Sequence, residues 1–221
     1  MAASYKPAPD LQAVWRAARD ARAAAGIKSR LPCVLVMTDP RAPEPELDAW
    51  PGEVAVIFRH FGGHDRLATA RRLREQTRAR GHRLLIGADP EMAEAVEADG
   101  VHFRRDAALA GPLAWRARRP DWLISMAALK GGRTYAAPLD ALDGLLVSPV
   151  FPSQSPSAGT PTGVEGLKGA SRLGAPVFAL GGVNAATVGR LRGAPIAGVA
   201  GVSFAPAGRQ DGRQEQQGRT Q

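Results

Sequence analysis

The sequence predicts a (β/α)8 TIM barrel, an α/β fold, with an extra N-terminal helix and a disordered C-terminal tail. Three observations lead there. Eight short apolar runs recur with start-to-start spacings of about 17 to 33 residues, the range that holds a strand, a loop, a helix and a second loop. The runs are continuously apolar rather than alternating, so each strand is covered on both faces, as in a parallel sheet walled by helices. The chain has 221 residues, a length that one barrel fills without a second core. A doubly wound open sheet has the same alternation, but it needs a phosphate loop near the first strand, and "VMTDPRAPEPELDAWPGE" is no such loop.

Residues 1–30 read as an N-terminal extension in which Asp10 to Ala25 forms a helix. The first strand is Cys33 to Met37 and the second Val54 to Phe58. "DRLATARRLREQTRARG" then carries a helical apolar stripe closed by Gly81. After the third strand, Arg83 to Ile86, "DPEMAEAVEADG" places Asp89 at a cap and Pro90 in the first turn of a helix. Gly100 to Phe103, Trp122 to Ser125 and Gly144 to Val147 are the next three strands. "SPVFPSQSPSAGTPTG" follows the sixth strand and is too long for a tight connection, which marks it as a functional loop. Val177 to Leu180 and Ile196 to Val202 are the last two strands, joined by a helix from Asn184 to Arg192 with an Asn cap. One barrel therefore spans residues 31–205, and residues 206–221, almost without apolar side chains, read as a disordered tail.

The net charge is +8, and arginine supplies 25 of the 29 basic residues. Such a surface attracts anions; the plainer reading is arginines solvating the outer helices. No aromatics interleave with the basic residues, so no nucleic-acid partner is expected. The single cysteine, Cys33, lies in "PCVLVMTD" and reads as a buried strand residue, with no disulfide framework or zinc spacing. The N-terminus is too polar for a signal peptide, and no apolar run approaches the roughly 20 residues of a membrane span, so a cytoplasmic protein without a membrane partner is expected. Oligomeric state is left open, a homo-oligomer being compatible with the sequence.

In a barrel, the loops after strands seven and eight commonly bind phosphate through backbone N–H groups. Here those ends read Gly181-Gly182-Val183 and Gly201-Val202-Ser203. Glycine lets the backbone approach an anion, and a serine adds a hydroxyl donor; glycines that only make turns are the competing reading. The expected ligand is a small phosphorylated substrate.

Taken together, "VLVMTD", "ADGVHF", "LLVSPVFPSQS", "VFALGGVN" and "GVAGVSF" resemble, in order and spacing, the thiamine phosphate synthase and thiazole tautomerase (TenI-like) barrels. The resemblance implies a synthase that joins a pyrimidine methyl diphosphate to a thiazole phosphate and releases diphosphate. It further implies that Mg²⁺, with Arg and Lys, neutralises the leaving group. On the matching positions it implies that Arg59 binds diphosphate, that His102 and Ser125 are catalytic, and that Ser153 and Ser155 line the thiazole site. Gly181, Gly182, Val202 and Ser203 would cradle the thiazole phosphate. Arg59 also reads as a surface charge and His102 as a core histidine.

Other family positions are replaced. The strand-two Gln-x-Arg-Glu-Lys motif is Ile57-Phe58-Arg59-His60-Phe61 here, and the lysine expected after the two hydroxyls is Pro156. Gly87-Ala88 stand where the family has Asn-Asp, leaving Asp89, one position late and also readable as a plain helix cap, and Asp106 as approximate metal ligands. Arg104 and Arg105 could instead bind diphosphate without Mg²⁺. The tautomerase histidine position is Ala127, with His60 or His102 as substitutes. The enzyme reading leads; a barrel that has lost catalysis and binds a thiazole phosphate or another phosphorylated metabolite is the alternative.

Overall fold

The computed structural model describes residues 9–42, 44–61, 65–107, 109–128, 139–153, 155, 159–202 and 204. Eight strands close into a parallel barrel in sequence order: β1 (Val34–Met37), β2 (Ala55–Phe58), β3 (Arg83–Gly87), β4 (Gly100–Phe103), β5 (Leu123–Ala127), β6 (Gly144–Val147), β7 (Val177–Leu180) and β8 (Gly198–Gly201). β1 pairs with both β2 and β8, so no edge is left open. The described helices are α1 (Pro9–Ala25), α2 (Arg66–Ala79), α3 (Pro90–Ala95), α4 (Ala110–Arg118) and α5 (Gly163–Ser171). Among the described residues no helix is long and apolar enough to cross a membrane.

Alternate residues of each strand separate into two apolar clusters. Val34, Val36, Val56, Phe58, Leu84, Ile86, Val101, Ile124, Leu145 and Val199 pack with residues of α1 to α5 and so face the helical layer. Leu35, Met37, Ala55, Ile57, Leu85, Leu123, Leu146, Phe178 and Ala200 pack with one another and fill the barrel. This is the two-sided burial that the continuous apolar runs require. The parity also sets what reaches the mouth. Arg59 continues the inward series of Ala55 and Ile57, and His102 and Ser125 continue those of Gly100 and Leu123.

The cap expected at Asp89 is present: its Oδ1 accepts from Met92 N–H at 2.9 Å, with Pro90 first in α3. Cys33 is buried just ahead of β1, and burial pushes its thiol pKa up. The helix expected from Asn184 to Arg192 is corrected to a short 3-10 turn, Val188–Leu191. The Asn184 carboxamide oxygen does cap, accepting from Ala186 and Thr187 N–H, but Gly189 and the β-branched Thr187 and Val188 disfavour an α-helix there. Helix α1 packs on β8 and on this turn, with Val14, Ala18 and Ala21 in the core. Residues 206–221 lie outside the described residues.

Candidate functional site

The inward residues at the carboxyl ends of β2, β4 and β5 form one polar group. His102 and Ser125 are register partners on adjacent strands, and the imidazole Nδ1 and the Ser125 hydroxyl share a hydrogen bond of 2.9 Å. Ser125 is wholly buried, so it reaches a ligand only through His102. Burial, aided by the nearby Arg59 charge, pushes the His102 pKa down to about 3, so the ring is neutral at physiological pH. A neutral ring orients or exchanges a hydrogen bond but does not supply positive charge.

Arg59 is half-buried and held by β1. Its N–H donates to the Thr38 hydroxyl at 2.9 Å and its Nε to the Thr38 carbonyl at 3.1 Å. Burial lowers its pKa, opposed by Asp39. Asp39 forms a two-point ion pair with Arg41, at 2.8 and 2.6 Å, rather than with Arg59, and this pairing holds its carboxyl well below the usual carboxylate range. Arg59 has no ion-pair partner among the described residues. Thr38 and Asp39 belong to this site but were not among the expected site residues. Their signal was the "TD" that ends the first strand's motif.

The glycine pair after β7 is required by both conformation and packing. Gly181 and Gly182 have φ of 89° and 69°, where other residues are strained. A Cβ on Gly182 would lie 2.4 Å from the Pro152 carbonyl oxygen. The long β6 loop lies across the pair: Val150 N–H donates to Leu180 O at 2.9 Å and Phe151 N–H to Gly181 O at 3.0 Å. Thr187 donates its hydroxyl to Gly182 O at 2.7 Å. Both glycine carbonyls are thus engaged elsewhere, while the Gly182 and Val183 N–H groups have no carbonyl partner among the described residues. Such an arrangement suits an anion.

Ser153 and Ser155 lie just beyond the part of this loop that touches the glycines, and the Ser153 hydroxyl accepts from Ser155 N–H at 3.3 Å. Val202 packs into the barrel interior, and Ser203 lies outside the described residues.

The two approximate metal ligands each have other partners in this structure. Asp89 caps α3 with one oxygen and pairs with Arg66 through the other. Asp106 is exposed and holds Arg104 through two contacts of 3.1 Å. Among the described residues no group of three or more His, Cys, Asp and Glu stands together. Arg104 pairs with Asp106 at the exposed surface, while Arg105 forms no ion pair among the described residues. His60 is the other substitute for the tautomerase histidine. By strand parity it faces the helical layer, its ring 4.8 Å from that of Phe58, and Ala127 ends β5 without a titratable group.

A family model described as thiamine monophosphate synthase matches residues 49–205. The chain is 31% identical over 173 residues to a thiamine-phosphate synthase of Geobacillus kaustophilus, covering 72% of this chain and 77% of that one. It is 32% identical over 116 residues to one of Moorella thermoacetica, covering 52% of this chain and 55% of the other. A match to the Chloroflexus aurantiacus thiamine-phosphate synthase is 31% identical over 140 residues and spans 63% of that protein's length. Against several relatives, then, the matched part is only about three-fifths of their length or less. In fold, the chain is similar to a thiamine phosphate pyrophosphorylase of Pyrococcus furiosus, with a TM-score of 0.56, 22% identity, and coverage of 76% of this chain and 83% of that one.

Proposed function

The chain belongs to the thiamine monophosphate synthase family, and from that premise we propose that it joins a pyrimidine methyl diphosphate to a thiazole phosphate and releases diphosphate. The bond between the pyrimidine methylene carbon and the diphosphate oxygen breaks, and its electron pair leaves on diphosphate. The thiazole nitrogen then supplies its lone pair to form the carbon–nitrogen bond. No net proton is consumed, so the protein's task is to position two substrates and stabilise departing negative charge.

The observation that carries this reading is Arg59, a half-buried guanidinium at the barrel mouth with no ion-pair partner among the described residues. Withdrawing such a cation from water without a counter-ion is costly, and an anionic substrate offsets that cost. In this reading Arg59 binds the diphosphate and Thr38 fixes its direction. Neutral His102, steadied by Ser125, orients a hydrogen bond beside the reacting carbon. The Gly182 and Val183 N–H groups hold the thiazole phosphate, with Ser153, Ser155 and Ser203 supplying hydroxyls around it.

The test is product formation from the two substrates by the full chain, followed by mass spectrometry and diphosphate release. The expected outcome is coupling, with Arg59→Gln lowering kcat/KM by roughly 100-fold, the scale of one lost transition-state charge contact. Gly182→Ala is expected to weaken thiazole phosphate binding in the same preparation. Binding of the thiazole phosphate with no coupling in any buffer would overturn the synthase reading and leave a phosphate-binding barrel.

A further inference from the structure

Of the aromatic residues described, Phe61 alone is exposed, at 55%. A single exposed apolar side chain is ordinary on a protein surface; what distinguishes this one is its place. Phe61 lies three residues past β2 and continues that strand's inward series of Ala55, Ile57 and Arg59. Its ring edge meets the inward side of β3. Gly87, the last residue of β3, follows Leu85 in the inward series there, and a Cβ on Gly87 would lie 3.4 Å from Phe61 Cζ and 3.5 Å from Cε1. A side chain longer than a methyl group at Gly87 would therefore meet the ring. Gly87 is also the register partner of His102, so the phenyl ring stands at the barrel mouth among the strand ends that carry Arg59 and His102.

The chemistry of an open phenyl ring selects its occupant. A ring face carries partial negative charge, so a phosphate gains nothing from it, whereas a second flat ring stacks on it and removes apolar surface from water. In the proposed reaction only one methylene carbon and one bridging oxygen separate the pyrimidine ring from its diphosphate. Residues two apart in an extended chain are about 6–7 Å apart. An anion held by Arg59 thus places the ring attached to it within reach of Phe61.

We propose that Phe61 is a substrate-contacting residue whose ring stacks on the pyrimidine of the diphosphate substrate, with Gly87 leaving the room for it. The proposal rests on the synthase reading for the identity of the heteroaromatic ring. Phe61 selects the flat ring, and its contribution to affinity is separate from that of the anion contact at Arg59.

Calorimetric titration of the full chain with pyrimidine methyl diphosphate and, separately, with inorganic diphosphate tests this. Phe61→Leu is expected to weaken the pyrimidine ligand by about tenfold, the scale of one base–aromatic stack, and inorganic diphosphate by less than about twofold. Phe61→Tyr keeps the ring and should hold the pyrimidine ligand to within about threefold of the wild type. Equal weakening of both ligands by Phe61→Leu would mean that the ring only supports Arg59, and no change in either would mean that it lies outside the site; each result overturns the proposal. Coupling assays on the same proteins keep the two readings apart. Coupling by Phe61→Leu with an unchanged KM for the pyrimidine substrate overturns the stack while the synthase reading stands. Pyrimidine binding that depends on Phe61, in a protein that never couples, overturns the synthase reading while the stack stands. A wild type that does not bind the pyrimidine ligand overturns both.

Discussion

His102 shows how far one residue's chemistry departs from its sequence label. A histidine at a strand end reads equally as a catalytic acid or as core filler, and the structure gives it a more specific state: a buried ring whose pKa of about 3 keeps it neutral. Between pH 6.5 and 3 the unfolded chain binds a proton on this residue that the folded chain does not, so its burial costs stability as pH falls through that window and costs nothing above it. Denaturant titrations at pH 7.5 and pH 5 should therefore show a larger acid loss for the wild type than for His102→Asn, by on the order of 2 kcal/mol. Equal losses in the two proteins would mean the ring is not buried as a neutral base. Arg59 was legible as an anion-binding candidate, but its hold on Thr38 was not, because that contact joins residues 21 apart on neighbouring strands.

At the scale of elements, two strands begin with the same device. Asp99-Gly100 heads β4 and Asp143-Gly144 heads β6. The Asp99 carboxylate accepts from Leu84 N–H of β3 at 2.8 Å and from Arg74 of α2 at 2.6 Å. Asp143 repeats this with Ile124 N–H of β5 at 2.8 Å and Arg116 of α4 at 2.5 Å. Each carboxylate ties a neighbouring strand to a helix at the end of the barrel away from the site. The following glycine leaves room that a Cβ would not: at Gly144 it would lie 2.7 Å from Leu31 Cδ1. Asp143→Ala strands a buried N–H and a guanidinium together. It should cost about 3 kcal/mol and lower Tm by about 6–12 °C in a thermal melt, with coupling activity kept below the transition. A change under about 1 kcal/mol would show that water replaces the carboxylate. "ADGVHF" was legible as a strand motif, but its aspartate serves strand anchoring rather than chemistry, a role that becomes visible only when β3 and β4 lie side by side.

Across the whole molecule, α1 completes the helical layer over β8. Its buried Val14, Ala18 and Ala21 belong to the same apolar cluster as the outward residues of the strands. Arg22 reaches from this helix to the carbonyl of Ala197, just before β8. A helix so placed should open with the barrel rather than fray as a terminus. Hydrogen exchange should find the amides in the middle of α1 protected to a degree similar to those of β8; protection lower by a factor of 100 or more would mean that the helix docks only loosely.

The sequence by itself determined the eight strands, the Asp89 cap, the burial of Cys33 and the order that closes a barrel, since each depends on periodicity and local backbone chemistry within a few residues. It also marked the glycine pair, because two successive left-handed residues have almost no other solution. Only the tertiary structure decided which charges remain available. That Asp89 pairs with Arg66, and that Asp106 rather than a residue of another strand holds Arg104, depends on contacts formed when the barrel closes. A carboxylate's chemistry is set by the partner that reaches it first, and here those partners come from a neighbouring element or from the next turn of the same loop.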